Sequence, residues 1–508
     1  MDDLNQVLRV RREKLAALKA KGMEPFAYNF HPSATSVEVI RRFEEAEADG
    51  SLAENGDGET VRVGGRIVSW RSHGKTAFAH IEDAAGRIQL YFRKDELGEE
   101  SFQLLDLLDL GDWIGISGPV FRTRKGEVTV RVAEWTLLTK SLRPLPFGKV
   151  EVDPETKERI VHSGFADTEA RYRQRYADLA VHPEVRDIFR TRARIVSETR
   201  AFLDGEGFLE VETPALQPLY GGATARPFVT RHNALDRTMY LRIADELYLK
   251  RLIVGGMDRV YEISKDFRNE GIDRLHNPEF TMAEWYQAFS DYNDQMDLVE
   301  RLLVHLADQV LGSRTLTFQG REISLEPPFR RIRLLEALSE ALSADVHEIP
   351  DDELRRRAES MELPELEGAG RGKLIDKLFG ELVEPDLIQP TFVLDHPREL
   401  SPLAKVHRED PRLTERFELY IAGMELFNAF SELNDPLDQR ERFEAQMGLR
   451  AAGDEEAQQL DEDFLRALEY GMPPTGGVGM GVDRLVMIFT DRPSIRDVIL
   501  FPILRDEE

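Results

Sequence analysis

F-R-N-E-G-I-D-R-L-H-N-P-E-F, residues 267–280, is the stretch on which the reading of this chain turns. Phe267-Arg268-Asn269-Glu270-Gly271 and the flexible run Ile272 to Pro278 lie between two segments of alternating polarity, so 258–289 reads as strand, loop, strand. A loop of this kind folds over a nucleotide. The guanidinium of Arg268 is a planar fork suited to a phosphate or a carboxylate. His276 suits a phosphate contact, and Phe280 can stack on a base. A lone arginine in a hairpin is normally solvated, so this stretch by itself leaves both readings open.

Two further segments extend the argument. Residues 414–433 alternate, with Glu418, Glu425 and Glu432 at intervals of seven and a turn expected at Gly423. Two strands joined there bring several carboxylates together, along with Asn428 and Phe430, and converging carboxylates favour a hard cation such as Mg²⁺. Plain surface alternation accounts for the same pattern. Residues 476–487, G-G-V-G-M-G-V-D-R-L-V-M, read as a glycine-rich strand running into a helix. Such a strand lets a ligand approach the backbone. Arg484 in the first helical turn adds to the positive potential of the N-terminus. The pattern is neither a P-loop nor a dinucleotide fingerprint, and a tight strand–helix turn also explains it.

Outward from these, 184–204 reads as a helix with Val185, Ile188, Phe189, Ile195, Val196, Phe202 and Leu203 on one side, followed by Gly207, a strand Phe208–Val211 and Thr213-Pro214. Residues 294–311 and 330–342 read as helical, and 351–385 as a charged helical insertion. Towards the N-terminus, Asn5–Lys21 reads as an amphipathic helix whose arginines and lysines either meet a phosphate backbone or are simply solvated, and 49–59 as a linker. Between 60 and 142 the period falls to two: five short strands, with a helix expected at Glu96–Leu108 after the third, follow the pattern of a small OB-type barrel. That fold commonly holds single-stranded nucleic acid, and a purely structural barrel fits the same strands. Residues 143–183 are a connector.

At 508 residues the chain has room for about three domains. The absence of cysteine removes disulfides, thiolate zinc sites, iron–sulfur clusters and cysteine nucleophiles together. The uncharged runs 213–225 and 470–482 are too short to span a bilayer, and the charged start has no signal-peptide core, so a soluble, cytoplasmic protein is expected. The net charge of −27 argues against a polyanionic partner. It is unevenly spread, however: residues 1–30 carry +2 and 60–142 carry +1, so a polyanion can still dock there.

A helix–strand ending in Pro214, then F-R-N-E-G…H-N-P-E-F, then G-x-G-x-G-x-D-R resemble motifs 1, 2 and 3 of the class II aminoacyl-tRNA synthetases, in order. The barrel ahead of them marks the subgroup for Asp, Asn and Lys. Y-L-R-I-A-D-E-L-Y-L-K-R-L, H-P-R-E-L-S-P-L-A-K and F-N-A-F-S-E-L-N-D-P resemble the lysine–tRNA ligase family of bacterial type, and the resemblance runs from about 5 to 505.

The resemblance implies an α+β chain. Residues 1–59 form a helical extension and linker, 60–142 an OB-fold anticodon-binding domain, 143–183 the connector, and 184–508 a class II catalytic domain on an antiparallel sheet with flanking helices. It implies ATP, L-lysine and tRNA(Lys) as substrates, Mg²⁺ as cofactor without zinc, haem or flavin, no membrane partner, and a homodimer through 184–214. Arg268 and Arg484 would be catalytic. Arg268, Glu270, His276, Phe280 and Arg484 would hold ATP, and Glu418 and Glu425 the metal. Gly222, Glu246, Tyr286, Asn428, Phe430 and Glu432 would form the lysine pocket, with Glu246 and Glu432 pairing the lysine ammonium. Arg71, Phe78, Gln89 and Glu127 would read a U-rich anticodon. A ligase that attaches lysine to a protein lacks the barrel. A non-catalytic RNA-binding paralogue is expected to have lost the motif 2 or motif 3 arginine.

Overall fold

The alternation after Thr60 builds a closed six-stranded sheet: β1 (Thr60–His73), β2 (Thr76–Glu82), β3 (Arg87–Arg93), β4 (Trp113–Arg122), β5 (Val128–Arg131) and β6 (Glu134–Thr139). In the computed structural model, which describes residues 2–53, 56–152, 159–162, 165–364, 366–451 and 458–506, the order is β1-β2-β3-β5-β4-β6, and β1 also pairs with β4. Every second residue points inward, and Val61, Val63, Ile67, Leu90, Ile114 and Ile116 are buried in one core. This is an OB-type barrel.

The strand β6 was not among the five expected. Only Leu137 of its six residues is buried, so E-W-T-L-L-T carries no visible alternation. The helix expected over Glu96–Leu108 is instead three short turns, Lys94–Leu97, Glu99–Leu104 and Leu105–Leu107. Gly98 breaks it at φ +78°, a conformation most side chains avoid. The N-terminal helix runs Asp2–Ala20, and a second, Ser36–Ala48, is closed by a capping box from Thr35 and Glu38. Two basic residues offered to a phosphate backbone are spent inside this unit. Arg11 donates to the carbonyls of Ser141 and Leu110, and Lys14 to Asp109.

The chain divides into two compact units, Met1–Val181 and His182–Glu508. The second is organised by an eight-stranded sheet. Its strands run, edge to edge, Arg330–Arg333, Thr391–Leu394, Arg416–Ile421, Met424–Ser431, Thr475–Gly481, Glu279–Ala288, Arg259–Phe267 and Leu209–Glu210. The six central strands are antiparallel, and the short outermost strand at each edge joins in parallel, so the sheet is mixed rather than wholly antiparallel. Arg330–Arg333, expected as helix, is one of those edges; the helix begins at Leu334.

Helix Pro183–Gly205 starts with proline in its first turn and buries Val185, and it packs Ile188, Ile195 and Leu203 against the sheet core. The insertion folds as helices Asp351–Ser360 and Arg371–Leu382 around a hydrophobic cluster shared with Leu334, Leu335 and Leu338 and with Val393 and Tyr420 of the sheet. Among the described residues no helix is long and apolar enough to cross a membrane.

Candidate functional site

The antiparallel pair Arg259–Phe267 and Glu279–Ala288 sets Asp266 opposite Phe280. Arg268, one residue past the first strand, therefore lies over the Phe280 ring, its guanidinium carbon 5.0 Å from the centroid. Around them opens a cleft of about 250 Å³ lined by Arg268, Glu270, His276, Phe280, Glu425 and Arg484. All five residues assigned to ATP thus share one cavity. Arg484 sits at the start of helix Val482–Phe489, directly after the glycine strand. It donates to the Glu425 carbonyl at 2.7 Å and to His276 Nε2 at 3.1 Å, while His276 Nδ1 lies 2.8 Å from Asp273. A guanidinium can only donate, so Nε2 accepts, and the network assigns the imidazole proton to Nδ1, which donates to the carboxylate. Buried Asp483 pins the same helix to the sheet, accepting from the Thr281 amide at 2.7 Å and from Arg192 at 2.5 Å.

A second cavity of about 410 Å³ adjoins the first and shares Arg268, Met282, Glu425, Asn428 and Gly479 with it. Gly222, Glu246, Tyr286, Asn428, Phe430 and Glu432 all line it, so the six residues assigned to the lysine pocket come together. Glycine is required at 477. A Cβ there would collide with Glu432 Oε1 and the Tyr286 ring, which lie across the bare strand. Gly222 stands at φ +90° against Ala244 and Glu246.

The sequence reading missed the residue that sets the charge of this cavity. Lys250, fully buried, lies 2.5 Å from Glu246 and also forms an ion pair with Glu432. The two carboxylates are therefore already bridged by the chain's own ammonium, and with both ionised the cluster carries −1 rather than −2. Glu246 and Lys250 are four apart on helix Glu246–Val254, a spacing visible in sequence; the bridge to Glu432 is not. Burial, with Glu246 beside it, pushes the Glu432 carboxyl up to about 8, against the pull of Lys250. Burial also raises Glu246, and the two carboxylates hold the Lys250 ammonium above its ordinary value despite its burial. Neither Glu432 oxygen nor Asn428 Oδ1 finds a well-aligned hydrogen-bond donor among the described residues. These acceptors suit a donor-rich ligand. Glu284, also missed, lines the cavity near the Tyr286 hydroxyl, and burial beside Asp245 and Asp266 drives its carboxyl well up.

Of the two residues assigned to Mg²⁺, Glu418 is buried and committed. Arg416 donates to one oxygen at 2.5 Å and Tyr420 to the other at 2.7 Å. Although burial opposes it, Arg416 holds the carboxyl down at about 2. Glu425 lines both cavities, and burial and nearby Glu418 raise its carboxyl. A hard cation there would offset that repulsion, so the oxygen donors fit Mg²⁺. Among the described residues, the one group of three or more acidic or histidine side chains close enough to share an ion is Asp245, Asp266 and Glu284. Arg242 already pairs with two of the three, at 3.0 Å from Asp245 and 3.3 Å from Asp266.

In the barrel, antiparallel register sets Arg71 opposite Phe78, Phe78 opposite Tyr91, and His80 opposite Gln89, so these side chains share one face. Phe78 stacks on Tyr91 with centroids 4.6 Å apart. Gln89 Nε2 donates to Glu127 at 2.6 Å. The four residues assigned to the anticodon therefore share this face, with Arg71 exposed at its edge.

The sequence matches the family described as tRNA synthetases class II (D, K and N) over residues 167–505, and that of OB-fold nucleic acid binding domains over 61–138. It is 52% identical to the lysine–tRNA ligase of Carboxydothermus hydrogenoformans over 507 residues, covering 100% of this chain and 99% of the relative. It is also 52% identical to the lysine–tRNA ligase of Moorella thermoacetica over 505 residues, covering 99% of each. With that of Halalkalibacterium halodurans it shares 50% over 506 residues, 99% of this chain and 98% of the relative.

Proposed function

The chain belongs to the class II tRNA synthetases of the D, K and N group, and from that premise we propose how its residues attach L-lysine to tRNA(Lys). The reaction joins lysine to ATP as lysyl-adenylate with release of pyrophosphate. It then passes the lysyl group to the 3′ end of tRNA with release of AMP. The observation that carries this reading is the Glu246–Lys250–Glu432 cluster in a cavity that Arg268 joins to the nucleotide cleft.

Lysine enters with its ammonium towards the acidic cluster and its carboxylate at Arg268. The ammonium cancels the −1 charge the cluster carries once Glu432 ionises, and its N–H groups meet Glu432 Oε1 and Asn428 Oδ1, acceptors that otherwise lack donors. Asparagine would leave that charge uncompensated, and aspartate would add to it, so both are rejected. The adenine lies on Phe280 with the triphosphate running towards Arg484 and His276. Arg484 leaves His276 to meet the terminal phosphate, while Arg268 draws the lysine carboxylate and the α-phosphate together. Attack of the carboxylate oxygen on the α-phosphorus expels pyrophosphate. No protein nucleophile takes part, and rate comes from positioning and charge neutralisation. Mg²⁺ held by Glu425 with Glu418 would supply further neutralisation of phosphate charge.

The barrel face reads the anticodon: Phe78 stacks on a base, Gln89 and Glu127 bond uracil edges, and Arg71 holds backbone phosphate. The face around 184–214 makes a homodimer. Leu209, 53% exposed, and Leu216 beyond it, 40% exposed, support that role. A tRNA substrate puts the protein's work in the cytoplasm. Transfer of labelled lysine to tRNA(Lys) by the purified chain tests the proposal; failure to charge it while ATP and lysine are consumed favours another acceptor.

A further inference from the structure

One polar residue on the barrel face has no part in the account above. His80 lies on β2 between the two groups assigned to base reading. Its Nε2 is 2.7 Å from Glu127 Oε1, and its Nδ1 is 2.7 Å from the Ser69 hydroxyl. The other Glu127 oxygen accepts from Gln89 Nε2 at 2.6 Å, and the Gln89 carbonyl accepts from Thr129 at 2.9 Å. Five side chains from β1, β2, β3 and β5 and the turn ahead of β5 therefore form one hydrogen-bonded chain.

The carboxylate sets the polarity of this chain. It only accepts, so His80 Nε2 carries a proton and donates it, and in the neutral ring Nδ1 accepts from Ser69. Gln89 is oriented the same way, with its carbonyl on Thr129 and its amide nitrogen on Glu127. That leaves an acceptor, the remaining lone pairs of Glu127, beside a donor, the second N–H of Gln89. Uracil presents the complement, an N3–H donor flanked by carbonyl acceptors. With the base held so that its N3 faces Glu127, cytosine sets an N3 acceptor against the carboxylate, like against like. Glu127 is 48% exposed, so without His80 its carboxylate is free to swing into water.

We infer that His80 is a positioning residue for anticodon reading: by holding Glu127 and, through it, Gln89 in one polarity, it makes the barrel face prefer uracil to cytosine. The inference rests on the anticodon role proposed for this face. Its test measures kcat/KM for charging of tRNA(Lys) transcripts, unmodified and with each anticodon uridine singly replaced by cytidine, using the full chain and its H80A, H80Q and E127A variants. Lysine-dependent ATP–pyrophosphate exchange without tRNA serves as the control.

H80A is expected to lower charging of the uridine transcript by about three- to tenfold, the worth of one such hydrogen bond. It should narrow the uridine-to-cytidine ratio at one anticodon position by a similar factor and leave exchange unchanged. H80Q, which can still donate, should restore part of the ratio. H80A combined with E127A should cost little more than E127A alone, since one acts through the other. An unchanged ratio in H80A alongside a collapsed ratio in E127A overturns the inference while keeping the anticodon role. Unchanged charging in E127A removes the anticodon role, and the inference falls with it. A loss of exchange in H80A, parallel to its loss of charging, marks His80 as a support of the fold and also overturns the inference.

Discussion

Replacing Glu432 by glutamine removes a carboxylate that is 1% exposed and paired with Lys250, while leaving volume and backbone almost unchanged. Lys250 keeps Glu246 as a partner at 2.5 Å, so the variant retains a neutralised buried ammonium and is expected to fold. What is lost is the counter-charge for the substrate ammonium. Removing one partner of a desolvated ion pair costs about 3–5 kcal/mol. Part of that is not realised, because the free carboxyl sits at about 8 and must first ionise. At neutral pH, about one unit below that value, ionisation costs ~1.4 kcal/mol. The net expectation is about 1.6–3.6 kcal/mol, a rise in the KM for lysine of roughly 15- to 400-fold. ATP–pyrophosphate exchange at varied lysine and saturating ATP measures it, and the KM for ATP at high lysine is the control. A lysine KM within about twofold of the parent, or equal rises in both constants, refutes the placing of the substrate ammonium at Glu432.

Three more outcomes follow from the same geometry. Because lysine binding favours ionised Glu432, whose carboxyl is raised to about 8, the proton is expelled on binding; the KM for lysine should fall as pH rises from ~6.5 to ~8, by at most tenfold per unit, and E432Q should flatten the profile. Gly477→Ala sets a methyl group against Glu432 and the Tyr286 ring and should raise the KM for lysine at least tenfold, with little change in that for ATP; equal losses in both would point to a general disturbance of the sheet. Phe78→Ala should weaken tRNA charging about 5- to 150-fold, from ~1–3 kcal/mol of stacking, and leave exchange without tRNA untouched; parallel losses would make the barrel a structural support.

The parts of the site legible in sequence are those carried by short contiguous patterns. Arg268 and Phe280 flank one loop, Arg484 directly follows its glycine strand, and Glu418 to Glu432 lie on one hairpin. Each pattern had a bland explanation, and only their order along the chain tied them together. Lys250 escaped because half of its meaning lies across the fold. Glu246 is one helical turn away, but Glu432 arrives from a distant strand. The expectation that substrate alone neutralises the two carboxylates therefore placed the charge correctly in space and wrongly in amount. His80 escaped because A-H-I-E reads as any half-buried strand, and its partners Ser69 and Glu127 lie outside its own strand. Arg11 and Lys14 looked available on a basic helix, yet both bind the barrel. The edge strand Arg330–Arg333 has three exposed arginines and gains its place only by pairing with Thr391–Leu394.

The central claim is that the cluster of Glu246, Lys250 and Glu432, net −1 once Glu432 ionises, selects the amino acid that Arg268 presents to ATP. Amino-acid-dependent ATP–pyrophosphate exchange without tRNA, run with lysine, asparagine and aspartate one at a time, tests it most directly. Exchange should proceed with lysine and stay at background with the other two; exchange driven by aspartate or asparagine in preference to lysine would contradict the account.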